Sequence, residues 1–309
     1  MGFTDTDILR AKEVQAYTDK YLIGVNQYPL GTGFPTWDGA CDETGGRGLG
    51  DWWYTIIGGA SNAGKTQLAR FLARRAAEHG YVPAFITMEV STSGLQRHYY
   101  SNVSPSFGYY DLLPFRFDTG SEAVVQGKRK ALTKEVNDFS EGTRSLVVVE
   151  HDGRPTISEI VEQAHALKEH VGVTHLFVDH AQLVKAPKHM DIAEAAEEFS
   201  EQMRMFAHKE KVCTVVLSQL NRTASRDRER RPTMHDLWGG TAMESNANQV
   251  AMLDHSRNAM DPQYPHILRT YVILDKNREG PAKLEIPVEV NFRTGMWREA
   301  SDDELGLWP

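Results

Sequence analysis

Residues Gly59-Ala60-Ser61-Asn62-Ala63-Gly64-Lys65-Thr66 match the pattern G-x-x-x-x-G-K-[ST] without a mismatch. The chemistry such a run can do is phosphate binding. Glycines allow backbone N–H groups to turn inward around an anion, and a helix starting there adds the positive end of its dipole. Lys65 is placed to reach the β- and γ-phosphates, the Thr66 hydroxyl to hold Mg2+, and Gln67 continues the segment into the helix. A glycine-rich structural turn is the bland alternative, and context argues against it. An apolar run (Tyr54–Ile57) enters the loop and a helical pattern (Lys65–Glu78) leaves it, as a nucleoside triphosphate site requires.

Three polar residues stand where apolar runs end, which is where α/β sheets place ligands. Asp179 closes HLFVD and can hold Mg2+ through water. Glu89 follows AFITM, a strand expected to lie beside the phosphate strand, and a carboxylate there can orient and deprotonate an attacking water. Gln219 closes VVLSQ and is placed to sense a γ-phosphate. Singly, each reads equally well as a helix cap. Together with the loop they point to hydrolysis rather than binding alone.

The elements that must position these groups follow from periodicity. Tyr54–Ile57, Ala84–Thr87, Leu146–Val149, Leu176–Val178 and Val212–Leu217 read as buried strands. Lys65–Glu78, Val124–Asp138, Thr156–Glu169 and Ile192–Lys209 read as helices between them. This alternation predicts an α/β fold with a mostly parallel central sheet flanked by helices on both faces. After Arg231 the pattern changes: Gln249–Leu253, Leu268–Leu274 and Lys283–Val290 predict an antiparallel extension at the C-terminal end. Residues 6–21 read as a polar, weakly amphipathic helix, either packed on the domain or an arm docked on a neighbouring subunit. Glycine-rich loop and turn are expected to follow it. The chain thus divides into an N-terminal helical arm (1–25) and one large domain (26–309).

Composition narrows the class. The 309 residues carry 34 Lys+Arg and 42 Asp+Glu, a net charge of −8, which disfavours simple coating of nucleic acid but leaves room for a local basic channel. No apolar stretch is long enough to span a membrane, and MGFTDTDILRAKE is no secretory signal. Gly2 and Thr6 fit a myristoylation pattern, but no polybasic segment accompanies them. The only cysteines, Cys41 and Cys213, form no disulfide framework, so a cytoplasmic protein is expected. His165, His170, His175 and His180 recur every five residues, a spacing that spreads them around a helix rather than gathering them on a metal.

Several segments, in this order, resemble the DnaB-type hexameric replicative helicases: TGFPTWD, GGASNAGKT, FITMEVSTSGLQR, LFVDHAQLV, LSQLNR followed by RRP and DL, and LDKNREGP. They run from Thr32 to Trp297, and LSQLNR and KNREGP are the more specific among them. The resemblance implies a RecA-like fold in which Lys65, Thr66 and Asp179 bind ATP with Mg2+. It implies Glu89 as the catalytic carboxylate, Gln219 as the residue coupling the γ-phosphate to movement, and Lys276 and Arg278 as finger residues reaching a neighbour's site. Positive charge on the developing γ-phosphate oxygens is worth about 10³–10⁵ in rate, and no arginine near the phosphate loop is an obvious source in cis.

Three departures stand out. His180 replaces the family's usual tyrosine after the magnesium-binding aspartate. Trp238-Gly239-Gly240-Thr241 replaces its Arg-Glu-Ser-Gly DNA-contacting loop; Trp238 could stack on a base or pack on the sheet, and the N–H groups of Gly239, Gly240 and Thr241 could bind phosphate. The family's N-terminal primase-binding domain has no counterpart, and the arm is expected to take the place of its linker helix.

Residues 221–231 (NRTASRDRERR) hold five arginines against Asp227 and Glu229, a net +3, directly after Gln219. Arg222, Arg226 and Arg228 are the candidate DNA contacts, and Lys185, Lys188 and His189 form a smaller basic loop. A solvated, internally paired loop is the alternative in each case. The implied function is an ATP-dependent replicative helicase, a ring translocating on single-stranded DNA with a loader or primase as possible partner. A RecA-like recombinase or repair ATPase, or a KaiC-like regulatory ATPase with a protein partner, are the alternatives.

Overall fold

A computed structural model describes residues 31–41, 48–50, 52–103, 112–113, 118–140, 146–227, 229–301 and 303–304. The expected helix at 6–21 and the arm at 1–25 lie outside them, as does the myristoylation pattern. In chain order the strands are β1 (Tyr54–Gly59), β2 (Pro83–Thr87), β3 (Val147–Glu150), β4 (His175–Asp179), β5 (Cys213–Gln219), β6 (Gln249–Met260), β7 (Ile267–Asn277), β8 (Leu284–Asn291) and β9 (Met296–Glu299). The α-helices are α1 (Pro35–Gly39), α2 (Lys65–Glu78), α3 (Thr92–Val103), α4 (Glu122–Ser140), α5 (Ile157–Val171), α6 (Ile192–Glu210), α7 (Arg222–Arg226) and α8 (Thr241–Ser245).

The strands form one sheet in the order β3-β2-β4-β5-β1-β6-β7-β8-β9. Pairing is parallel from β3 through β6 and antiparallel from β6 to β9. The expected mixed sheet is therefore present, but one neighbour relation is corrected. β2, which leads to Glu89, does not lie beside the phosphate strand β1; β4 and β5 intervene. Crossover helices set strand order, and the apolar runs alone carry no mark of it.

Alternation along each strand sends side chains to two separate cores. Tyr54, Ile56, Ile86, Val178, Val216 and Val250 face α5 and α6, packing with Ile160, Phe199 and Met203. Ile57, Phe85, Phe177, Val215, Leu217 and Ala251 face the other way, onto Leu68, Phe71 and Leu72 of α2. Both layers are continuous, which is why the strands read as uninterrupted apolar runs. The glycine-rich stretch expected to be loop contributes to the second core: Phe34 and Trp37, at the start of α1, are fully buried there. α5 and α6 begin with reciprocal caps, Thr156 with Glu159 and Asp191 with Glu194, which satisfy N–H groups left unpaired at a helix start.

Candidate active site

β1 delivers the chain into the loop at Gly59, and α2 begins at Lys65 with Gly64 as its N-cap at φ +97°. A side chain is strained at that angle, which is the reason for glycine there. Lys65 is 7% exposed, and its ammonium donates to the carbonyls of Gly59 (3.0 Å) and Ala60 (2.8 Å). Burial lowers its pKa to about 8 against the opposing pull of Asp179 and Glu89. A phosphate brought to this loop would restore the charged form.

The Thr66 hydroxyl donates to Asp179 Oδ2 at 2.8 Å. Asp179 is 1% exposed, and its other oxygen, Oδ1, has no hydrogen-bond partner among the described residues. The parallel register pairs Thr87 with Asp179, and Met88 N–H donates to the Asp179 carbonyl, so Glu89 emerges at the same sheet edge despite the separation of β2 from β1. His180 joins the carboxylates to Gln219. Its Nδ1 lies 2.9 Å from Glu89 Oε2 and 3.5 Å from Asp179 Oδ1, without hydrogen-bond alignment to either. Its Nε2 lies 3.2 Å from the Gln219 side-chain nitrogen. Lys65, Thr66, Glu89, Asp179 and Gln219 are thus brought together. Lys65 and the loop can clamp phosphates, and Thr66 with Asp179 can hold a divalent cation. Glu89, half exposed, can meet water.

Gln219 is tied to the chain on two further sides. Its carbonyl accepts from Trp238 N–H at 3.0 Å and from Gln182 Nε2 at 2.9 Å, and Leu220 bridges Leu237. Of the two roles open to Trp238, packing is visible: the ring is half-buried against the core. Gly239, at φ +75°, sits so close to α6 that a Cβ there would lie 2.2 Å from that of Ala196. The Gly240 N–H already donates to Leu237 O, and Thr241 is exposed at the start of α8.

In the basic loop, Arg226 is exposed at the end of α7 and has no ion pair among the described residues. Arg228 and the side chain of Arg222 lie outside the described residues. Arg230 pairs with Asp236 at 2.6 Å and Arg231 with Glu285, so two of the five arginines fasten the loop internally. Lys185, Lys188 and His189 are exposed.

Lys276 and Arg278 are far from this edge. Lys276 is level with Val250, hence with Ile56, and Arg278 N–H donates to Asn248, whose own N–H donates to Tyr54. Arg278 therefore sits five residues behind Gly59, about 17 Å along the sheet axis. Both cations are held by the end of α8: Lys276 Nζ donates to Glu244 O (2.6 Å) and Arg278 Nη2 to Ser245 O (2.6 Å). Burial and the neighbouring Arg278 lower the Lys276 pKa.

Sequence reasoning noted His180 only as a departure and missed Gln182; the available signal was two polar residues directly after a buried strand end. The histidine series is dispersed: His165 packs on Phe206, His175 on Tyr81, and His180 alone reaches the site. Cys41 and Cys213 are free and buried. Among the described residues no helix is long and apolar enough to cross a membrane.

A mostly parallel sheet with a phosphate loop, strand-end carboxylates and an antiparallel extension defines a RecA-like P-loop ATPase fold. Residues 30–298 match the family described as DnaB-like helicase C terminal domain, and the chain belongs to that family. It is 26% identical over 273 residues to the replicative DNA helicase DnaB of Leifsonia xyli, covering 88% of this chain and 56% of that protein. It is also 26% identical over 234 residues to a probable plasmid replicative DNA helicase of Chlamydia psittaci, covering 74% and 47%. The chain spans about half the length of these curated relatives. Among solved structures, an ATPase domain determined on its own superposes with TM-score 0.71 at 18% identity, covering 97% of this chain and 100% of that one. A DnaB-like replicative helicase, solved in a study of its interactions with primase, gives 0.73 at 18% identity, covering 97% and 69%.

Proposed function

We propose that this chain is the ATP-hydrolysing motor of a replicative DNA helicase, assembling into a ring that translocates on single-stranded DNA and unwinds duplex. The observation that carries this reading is the division of the machinery between two ends of one sheet. Phosphate clamp, cation ligands and catalytic carboxylate stand at one end, and the finger cations Lys276 and Arg278 at the other. An arginine side chain does not bridge about 17 Å, so a complete site needs a second copy, joined head to tail. Such an interface closes into a ring when its rotation permits; the family reading makes that ring a hexamer.

Gly59 to Gln67 bind ATP, with Lys65 on the β- and γ-phosphates. Thr66 and Asp179 fit Mg2+, since the buried Asp179 Oδ1 is left without a hydrogen bond; the ion supplies charge neutralisation at the phosphate oxygens. Glu89 orients and deprotonates the attacking water, and Arg278 and Lys276 of the next subunit stabilise the developing charge. Gln219 reads the γ-phosphate and passes its movement through its carbonyl to the Trp238 segment and along the chain to the arginine loop. Arg222, Arg226 and Arg228 hold the DNA backbone there, with Gly239 and Thr241 beside them. A loader or primase as partner, and a cytoplasmic location, follow from the same reading.

The test is the ATPase rate with and without single-stranded DNA, for wild type and Arg278→Ala, with particle mass recorded alongside. DNA stimulation in a hexamer-sized particle, lost in the variant without loss of assembly, is the expected result. A rate indifferent to DNA would refute the helicase reading and favour a regulatory ATPase.

A further inference from the structure

The geometry points to a transition-metal site in this chain: Glu89, Asp179 and His180 form a ligand set for an ion such as Zn2+, which in the nucleotide-free protein takes the catalytic carboxylate out of service. Three observations carry this.

The first is spacing. His180 Nδ1 lies 2.9 Å from Glu89 Oε2 and 3.5 Å from Asp179 Oδ1, and one donor atom from each residue falls within 4.8 Å of the others. Ligands bound at about 2.1 Å stand roughly 3.0 Å apart around an octahedral ion and 3.4 Å apart around a tetrahedral one. The donors are already near those separations.

The second is what these atoms lack. Asp179 Oδ1 and His180 Nδ1 are buried with no hydrogen-bond partner among the described residues, on side chains 1% and 5% exposed. Buried polar atoms are ordinarily satisfied, and two orphaned together, aimed at one point, call for a ligand. The short Nδ1–Glu89 approach does not meet that need as a hydrogen bond, because the alignment is missing.

The third is chemistry. Carboxylate and hydroxyl oxygens, such as those of Asp179 and Thr66, suit Mg2+; an imidazole nitrogen shifts preference towards Zn2+, Co2+ and Ni2+. Three protein donors with open positions is the arrangement of zinc sites that also accept water or a phosphate oxygen. The outer contacts also fit. A metal-bound histidine donates its other N–H to a fixed acceptor. His180 Nε2 faces the Gln219 amide at 3.2 Å, and turning that amide over presents its oxygen. Thr66 already orients Asp179 through Oδ2. The two ions share Asp179, so they are alternatives, and the transition metal changes the setting of Gln219 as it binds. That inhibitory consequence rests on Glu89 being the carboxylate that acts on water; the binding itself does not.

Cobalt(II) is the probe. Titrated into the nucleotide-free full chain, Co2+ should bind one to one at micromolar concentration with a visible absorption band, and Zn2+ should displace it. His180→Phe and Glu89→Gln should each weaken binding at least tenfold, with folding checked by circular dichroism; Glu89 is half exposed, so its variant keeps the test valid if His180→Phe misfolds. No stoichiometric binding below about 1 mM, or binding unaltered by the folded variants, would overturn the site. Micromolar Zn2+ should inhibit the Mg2+-dependent ATPase of the wild type. Binding without inhibition would overturn the regulatory role, whereas a protein that binds Co2+ yet never hydrolyses ATP would refute the motor reading and leave the site standing.

Discussion

Mixing two inactive variants tests the split site directly. Lys65→Met removes the phosphate clamp from a subunit but leaves its finger, whereas Arg278→Ala removes the finger and leaves the clamp. Arg278 starts level with Tyr54, five residues behind Gly59, and its guanidinium turns to Ser245 at the far end of α8. That offset of about 17 Å is more than twice the reach of an arginine side chain, so no subunit completes its own site. Each variant alone should lose about 10³-fold or more in ATPase rate. In rings reassembled from an equal mixture, a working site needs an Arg278→Ala subunit as clamp donor and a Lys65→Met subunit as its finger-bearing neighbour. Independent choice makes that about one half times one half, so about a quarter of the wild-type rate should return. Steady-state ATPase on the mixture, with co-assembly verified by a tag on one variant, reads the result. A co-assembled mixture no faster than its parents would refute the trans arrangement.

Three further outcomes are expected. Gly239→Ala should lower stability by about 2–5 kcal/mol in urea unfolding, combining a left-handed backbone with a side chain driven into Ala196; an unchanged midpoint would mean the loop relaxes freely. Because the Lys65 pKa is lowered from 10.5 to about 8, the unfolded chain holds a proton between those values that the folded chain has released. Stability of the nucleotide-free protein should therefore rise with pH through that window, by up to about 3 kcal/mol, relative to Lys65→Met; parallel pH profiles for the two proteins would contradict it. Arg226→Ala should reduce the slope of log affinity for single-stranded DNA against log salt by about 0.7, as one lost phosphate contact does; an unchanged slope would place Arg226 outside the DNA path.

Much of this architecture was legible because each level of the sequence agreed with the next. The range read for α2 coincides with the observed helix, and β4 and β5 differ from their apolar runs by one or two residues at each end, since their alternating faces both meet a core. Strand order was not legible. AFITM says that β2 is buried, not that two strands stand between it and the phosphate loop. Nor was the burial of Phe34 and Trp37, because glycine-rich surroundings mask an aromatic anchor whose partners are distant in sequence. β9 escaped for a related reason: four residues of mixed polarity carry no period, and pairing with β8 makes the strand. At the site, the phosphate loop and strand-end carboxylates were readable from residue type. The place of His180 between Glu89 and Gln219 depended on three strands converging, which spacing alone does not encode.

Each cation meant for a phosphate is parked on the backbone. Lys65 rests on Gly59 and Ala60, Arg278 on Ser245, and Lys276 on Glu244. Carbonyl oxygens are neutral acceptors, weaker than a phosphate but strong enough to keep a buried charge from standing alone. Release of product therefore hands each side chain back to a fixed berth instead of leaving a repelling cluster that must be rebuilt by the next nucleotide. An empty site of this kind is a folded resting point, and a ring can hold some of its sites vacant, turn after turn, without any subunit coming undone.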